Sequence, residues 1–153
     1  MNNFIENCSR FDIITGMHAD AGENSMLIQI SDIISEQPTP LKKFKEIHQF
    51  SFEDIEEDEE WAISNEQAQE IAELLRHAQK NHMNVIVHCH AGLCRSGAVV
   101  ECGIMLGFNE PDRLRIPNTL VKKKIMQALG FEISEKTSAF NPDFANLTKT
   151  WGL

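Results

Sequence analysis

The sequence predicts an α/β fold in which a central, mostly parallel sheet is flanked by helices. Strand-like and helix-like segments alternate along the 153 residues, and this order is typical of a parallel sheet. Val85–His88 is a short β-branched run, as expected of a strand buried on both faces. Hydrophobic residues make up 42% of the chain, enough for one core without disulfide or metal support. We therefore expect a single domain over residues 1–153.

The first part of the chain is predicted to form three strands and one short helix. A helix across Phe11–Met17 would be capped by Ser9 or Asp12, both residue types that accept hydrogen bonds from free helix N–H groups. A polar loop broken by Pro38 and Pro40 precedes the third strand. The three strand-like segments are Phe4–Asn7, Met26–Ile30 and Lys45–Phe52.

The middle of the chain is predicted to be helix, buried strand, loop and helix. Ser64 followed by Gln67 has the spacing of a capping box, and the helix that it opens should end near Lys80. After the strand at Val85–His88 comes a loop, and then an apolar helix that ends near Gly107.

Two further helices are predicted toward the C-terminus. Asn118–Leu129 has apolar residues on one face, and Lys122–Lys124 should lie on the solvated face. Asn141 and Pro142 are a suitable cap and first turn for a last helix toward Trp151.

The charge of the chain argues against nucleic acid as a partner. Its 14 Lys and Arg against 23 Asp and Glu give a net charge of −9, which repels phosphate backbones. The acidic run Glu56–Glu60 is expected to be a solvated loop. Met1–Arg10 has neither the basic start nor the apolar run of a secretory signal, and no apolar stretch is long enough to cross a bilayer. We expect a cytoplasmic protein without a membrane partner.

The four cysteines do not form a metal-binding or disulfide pattern. No C-x-x-C is present, so zinc-type ligand spacing is lacking and we expect no cofactor and no metal. Cys8 and Cys102 are expected to be buried apolar fillers. Cys89 and Cys94 lie in the one segment that has unusual chemistry.

That segment joins the predicted strand to a helix by a loop that starts at Cys89 and ends at Arg95 and Ser96. Backbone N–H groups in such a loop, with the positive end of the helix dipole, form a site for an anion. Gly92 would allow the curl, Arg95 could bind two phosphate oxygens, and the same field would stabilise a thiolate at Cys89. The predicted phosphate-binding residues are His90, Ala91, Gly92, Leu93, Cys94 and Arg95.

The segment resembles the H-C-x5-R-S signature of cysteine-based protein tyrosine phosphatases, including the dual-specificity phosphatases. Two other stretches resemble this family: Phe52-Glu-Asp-Ile after a strand, where the family has its general acid, and Arg115-Ile-Pro-Asn-Thr-Leu before a helix. The resemblance covers roughly Phe50 to Leu129 and implies a three-layer α/β/α phosphatase domain. The residues that fit the signature are His88, Cys89, Gly92, Arg95 and Ser96.

The resemblance also implies a role for each site residue. Cys89 would attack phosphorus and form a phosphocysteine intermediate, while Arg95 and the loop amides stabilise the phosphoryl oxygens. Asp54 would protonate the leaving group, and Ser96 would stabilise the departing thiolate. His88 and Asn118 would support the loop from behind, with Asn118 also capping its helix; His90 is expected to face outward.

Two assignments remain open at this stage. Asp58 is an alternative to Asp54 as the general acid, because both precede Cys89 by a suitable distance. Asp54 directly follows a strand and has apolar neighbours, so it is the preferred candidate. Cys94 is a departure from many relatives, and is either a small loop side chain or a disulfide partner that protects Cys89 from over-oxidation.

The expected substrate is a phosphorylated protein or peptide. Phosphotyrosine is the first candidate, and phosphoserine and phosphothreonine are further ones. Two other functions are compatible with a cysteine loop: a rhodanese-like sulfurtransferase, which needs no general acid, and a catalytically silent phosphate-binding module. The sequence does not determine the oligomeric state.

Overall fold

The computed structural model describes residues 3–131, in which four parallel strands form one sheet. The strands pair in the order β1-β4-β2-β3, so β4 lies between two strands that precede it in the chain. The parallel sheet predicted from the sequence is confirmed. The strands are β1 (Ile5–Ser9), β2 (Ser25–Ser31), β3 (Glu46–Ser51) and β4 (Asn84–Cys89).

In the described part of the chain, four helices connect the strands and follow them. Of the two caps that the sequence offers for the first helix, the structure has Ser9, which forms a capping box with Asp12. Ser64 and Gln67 form the predicted capping box of the second helix. The last described helix is capped by Asn118, also as predicted. The helices are α1 (Arg10–Thr15), α2 (Asn65–Lys80), α3 (Arg95–Met105) and α4 (Thr119–Ala128).

The sheet buries apolar side chains on both faces, which makes the fold three-layered. Successive side chains of a strand point to opposite faces, so Val85, Val87 and Cys89 join a large core cluster together with residues of α2, α3 and α4. Ile86 points to the other face, where it packs in a smaller cluster with Ile13 of α1. The two central strands are almost fully buried, as a parallel sheet requires.

One sequence expectation about α4 is wrong. Lys124 does not lie on the solvated face, since its side chain is only 9% exposed. Its Nζ donates to Asp58 Oδ1 at 2.8 Å and to the Ile63 carbonyl at 2.9 Å. A buried ammonium is tolerated because both acceptors compensate its lost hydration.

Other expectations can be compared directly with the structure. Cys8 and Cys102 are buried fillers as predicted, and burial raises the pKa of each thiol to about 12. The predicted last helix at Asn141 lies outside the described residues. Within residues 3–131, no helix has the length and apolar character needed to cross a membrane.

Candidate active site

Residues 90–94, which we call the phosphate loop, connect the end of β4 to the start of α3. Four of the five loop carbonyls accept hydrogen bonds from other segments of the chain. The bonds join Arg10 N to His90 O (3.1 Å), Asn7 Nδ2 to Gly92 O (2.7 Å), Ile116 N to Leu93 O (3.0 Å) and Asn118 N to Cys94 O (3.0 Å).

Unlike the carbonyls, the backbone N–H groups of the same loop have no hydrogen-bond partner among residues 3–131. Among residues 3–131, no acceptor is hydrogen bonded to the backbone N–H of any residue from 90 to 95. Because the carbonyls are held by surrounding segments, these amides remain available to an external acceptor, and they lie at the positive N-terminus of α3. The loop therefore has the properties of a preformed anion site.

Gly92 gives the loop its curvature and its close contact with β1. Its φ is +75°, and a Cβ built there would lie 2.5 Å from the Cys8 carbonyl carbon and 2.6 Å from Ser9 N. Only glycine fits a position that is both left-handed and this close to another backbone.

Cys89 is the last residue of β4, directly before the loop. It is 2% exposed, and its Sγ lies 3.1 Å from Ser96 Oγ in the first turn of α3. The two atoms are within hydrogen-bond distance, and Ser96 lies in the N-terminal turn of α3. The structure thus brings together the two side chains that the sequence analysis singled out at the two ends of the loop.

Arg95 enters the site from the first residue of α3 and is almost buried. Its Nη1 donates to Asp32 Oδ1 at 2.7 Å and to the Phe52 carbonyl at 2.8 Å, while its buried Nε has no hydrogen-bond partner among the described residues. Asp32 is a site residue that the sequence analysis did not find.

Asp54 lies on residues 53–60, which we call the acid segment, and is linked to the phosphate loop. Asn118 Nδ2 donates to Asp54 Oδ1 at 2.7 Å and to the Ile55 carbonyl at 3.1 Å. Burial raises the pKa of the Cys94 thiol, and the neighbouring carboxylate of Asp54 raises it further. Asp54 therefore lies beside the loop that carries Cys94, yet remains exposed to solvent.

Asp58, the alternative acid, has a different environment. Its side chain is 68% exposed and pairs with Lys124 at 2.8 Å. No hydrogen bond in the described part of the chain joins Asp58 to the phosphate loop. Of the two carboxylates, Asp54 is the one that contacts a residue bonded to the phosphate loop, Asn118.

The two histidines that flank Cys89 differ in burial. His90 is exposed, in agreement with the sequence, whereas His88 is 1% exposed. The His88 ring is buried behind the loop, next to the backbone of Cys89. Burial lowers the pKa of His88 to about 4, and the ring is neutral near pH 7.

Asn118 connects three parts of the site. Its backbone N–H binds the phosphate loop, its Nδ2 binds the acid segment, and its Oδ1 accepts from Val121 N at 3.0 Å as the cap of α4. The sequence predicted the cap and the support of the loop, but not the contact with Asp54. Asn7, which binds the carbonyls of Gly92 and Leu114, was also missed, because no local pattern marks it.

Comparisons with known proteins identify the fold. No protein-family model matches the chain, and no curated protein matches it in sequence. Human DUSP28 matches its structure with a TM-score of 0.57 at 14% identity, covering 82% of this chain and 91% of that one.

Two further structures are similar at a lower level. The human tyrosine phosphatase-like serine/threonine/tyrosine-interacting protein gives a TM-score of 0.49 at 17% identity, covering 67% of this chain and 74% of that one. OH1 from the Orf virus, described as a tyrosine phosphatase, gives 0.48 at 11% identity, covering 84% and 83%. The stronger match, to DUSP28, agrees with the resemblance found in the sequence, and the chain has the fold of the dual-specificity type of cysteine-based protein tyrosine phosphatases.

Proposed function

We propose that this protein is a cysteine-dependent phosphatase that hydrolyses phosphotyrosine in a protein or peptide, with Cys89 as nucleophile. The observation that carries the proposal is the phosphate loop, whose N–H groups have no acceptor in the described chain while four of its five carbonyls accept hydrogen bonds from other segments. A loop arranged in this way binds three phosphoryl oxygens without needing a metal ion. Cys89 directly precedes this loop and Ser96 follows it in α3, with Sγ and Oγ 3.1 Å apart.

In the first step, the Cys89 thiolate attacks phosphorus in line with the bond to the phenolic oxygen. The S–P bond forms as the P–O bond breaks, and Asp54 transfers its proton to the leaving oxygen. A phenolate has a free pKa of about 10, so protonation makes it a much better leaving group. Arg95 and the loop amides stabilise the phosphoryl oxygens throughout.

In the second step, water hydrolyses the phosphocysteine. Asp54 is now a carboxylate and takes a proton from the water. The water oxygen attacks phosphorus at the same time, and the S–P bond breaks. Ser96 Oγ lies 3.1 Å from the sulfur, close enough to donate a hydrogen bond to the returning thiolate. The products are inorganic phosphate and the starting enzyme.

The test is hydrolysis of para-nitrophenyl phosphate in EDTA by wild type and three variants. Cys89→Ser should lose at least about 10⁴-fold in kcat, because it lacks the nucleophile. Asp54→Asn should lose roughly 10²-fold or more, as expected for a general acid. Asp58→Asn is the matched control, with the same change four residues along the acid segment, and should stay within about twofold of wild type.

The outcomes distinguish the competing functions. Activity that persists in Cys89→Ser would refute the proposal. A loss in Asp58→Asn instead of Asp54→Asn would reassign the acid. Wild type that binds orthovanadate without hydrolysing the ester would indicate the silent module, and transfer of sulfur from thiosulfate to cyanide, unaffected by Asp54→Asn, would indicate a sulfurtransferase. Phosphotyrosine and phosphoserine peptides of one sequence would then define the substrate class.

A further inference from the structure

Among residues 3–131, acceptors contact only one of the three nitrogens of the Arg95 guanidinium. Nη1 donates both to Asp32 Oδ1 at 2.7 Å and to the carbonyl of Phe52 at 2.8 Å. These acceptors come from the ends of two neighbouring strands, β2 and β3. The Arg95 side chain is 6% exposed, so its orientation depends on these contacts rather than on water.

The covalent geometry of arginine determines which edge is left for a ligand. Nε–H and one N–H of Nη2 are parallel and lie on the same edge of the planar guanidinium. This edge does not include Nη1. Nε is buried and has no acceptor among residues 3–131. A buried donor without an acceptor is costly, and two parallel N–H groups are suited to two oxygens of a phosphoryl group.

Asp32 is itself held in place by the segments around it. The carbonyl of Ser31, the residue before it, accepts a hydrogen bond from Phe52 N at 3.1 Å. The N–H of the residue after it, Ile33, donates to Glu53 Oε2 at 2.7 Å. Glu53 directly precedes the proposed general acid, so Asp32 has a defined position between the phosphate-binding arginine and the acid segment.

We propose that Asp32 is a positioning residue for oxyanion binding: it holds Nη1 of Arg95 so that the Nε/Nη2 edge faces the phosphoryl group. The proposal rests on the function proposed above. It predicts whether replacing Asp32 weakens or strengthens oxyanion binding, because two effects of the Asp32 carboxylate oppose each other. Its negative charge repels an oxyanion, whereas its hydrogen bond orients the arginine that binds the oxyanion. Positioning is the larger effect, since the pair is in direct contact and Arg95 is almost buried.

The experiment measures inhibition by orthovanadate, and kcat and KM separately, in wild type, Asp32→Ala, Asp32→Asn and Glu36→Gln. Glu36 is an exposed carboxylate four residues along the same loop, so its variant removes the same charge without touching Arg95. Asp32→Ala should weaken vanadate inhibition by roughly tenfold to a hundredfold and lower kcat/KM by a similar factor. Asp32→Asn keeps an acceptor oxygen and should recover part of the loss, while Glu36→Gln should bind vanadate as well as wild type or slightly better.

If orthovanadate inhibits Asp32→Ala as strongly as Glu36→Gln, the proposal is wrong, because Asp32 would then affect the oxyanion only by charge repulsion. Thermal unfolding with and without vanadate separates positioning from folding: a merely structural role lowers the melting temperature of Asp32→Ala but leaves the vanadate-induced increase unchanged. This measurement needs no turnover. If wild type proves inactive, a smaller increase in Asp32→Ala than in Glu36→Gln would still support the role of Asp32, and an equal increase would refute it.

Discussion

The phosphate loop and the acid segment both follow the end of a parallel strand, yet the chain holds them in different ways. In the phosphate loop, four of five carbonyls are bonded to other segments, and Gly92 lies directly against the backbone of β1. In the acid segment, residues 56–60 are all exposed, and the proposed acid is held through a side chain of another segment, Asn118.

The difference corresponds to two chemical tasks. Stabilising a phosphoryl group requires dipoles that are oriented before the substrate arrives, because reorganisation during the reaction would cancel their benefit. Proton donation requires a carboxyl that reaches a leaving group at the mouth of the site, where solvent also supplies the hydrolytic water. In the proposed mechanism, the tightly packed loop would serve the first task and the exposed segment the second.

The largest effect is expected from Gly92→Ala in the phosphate loop. The substitution adds a Cβ in a left-handed conformation and within 2.7 Å of three backbone atoms of Cys8 and Ser9. Strain and overpacking together should lower the free energy of unfolding by about 3 kcal/mol or more, and should abolish para-nitrophenyl phosphate hydrolysis. Denaturant unfolding and kcat/KM measure the two effects.

Gly22→Ala is the matched control for this substitution. Gly22 has a similar φ of +78°, but a Cβ there meets nothing within 4 Å. It should cost only about 1 kcal/mol and leave activity unchanged. Equal losses in the two variants would show that backbone conformation, rather than contact between the loop and β1, makes Gly92 necessary.

The next effect concerns pH and the buried imidazole behind the phosphate loop. Burial lowers the pKa of His88 from 6.5 to about 4, so between these values the unfolded chain binds a proton that the folded chain does not. Stability from this residue is therefore complete above pH 6.5 and decreases as the pH falls toward 4, by roughly 2–3 kcal/mol in total. Urea unfolding of wild type and His88→Gln at pH 7 to 4.5 measures the difference in slope.

His82→Gln serves as the control, because His82 is exposed. His88→Gln should show a smaller slope than either wild type or His82→Gln. Parallel curves for wild type and His88→Gln would mean that the buried ring becomes protonated without penalty, and that the site behind the loop admits water.

The smallest effect is expected from Asn118→Ala, which removes the link between the two regions. Loss of the helix cap should cost about 1 kcal/mol. Loss of the contact with Asp54 should lower kcat for a phosphotyrosine peptide by about tenfold, because the acid is no longer oriented. Asn118→Ala should add little to Asp54→Asn, since both variants remove the same proton transfer.

Ser64→Ala removes a comparable cap from α2 and provides the control. It should match the loss of stability of Asn118→Ala and keep wild-type kcat. If both cap variants retain full kcat, Asn118 supports only the fold, and Asp54 is oriented by other contacts.

The elements that the sequence predicted well are those whose information is local. The Ser64–Gln67 capping box and the strand, loop and helix around Cys89 depend on residues that are close together in the chain, and the structure has them within two positions of the predicted bounds. Helix caps depend on side chains that bind their own backbone, so they can be recognised without knowing the tertiary structure.

The residues that sequence reasoning missed act across long separations. Asp32 reaches Arg95 because β2 and β4 are neighbours in the sheet, and strand order cannot be read from the periodicity of each strand. Lys124 was placed on the solvated face because its neighbours are lysines, yet α4 packs so that its ammonium reaches Asp58 and Ile63. Nothing within either segment specifies these partners.

The position of β4 between β1 and β2 has a consequence for the newly made chain. As the polypeptide leaves the ribosome, β2 and β3 can pair, but β1 has no neighbour until residues 84–89 emerge. The phosphate loop then still needs the N–H groups of Ile116 and Asn118. Non-local pairing of this kind forms late in folding, so a nascent chain already carries the Cys89 thiol but acquires its anion-binding surroundings only when most of the domain has been synthesised.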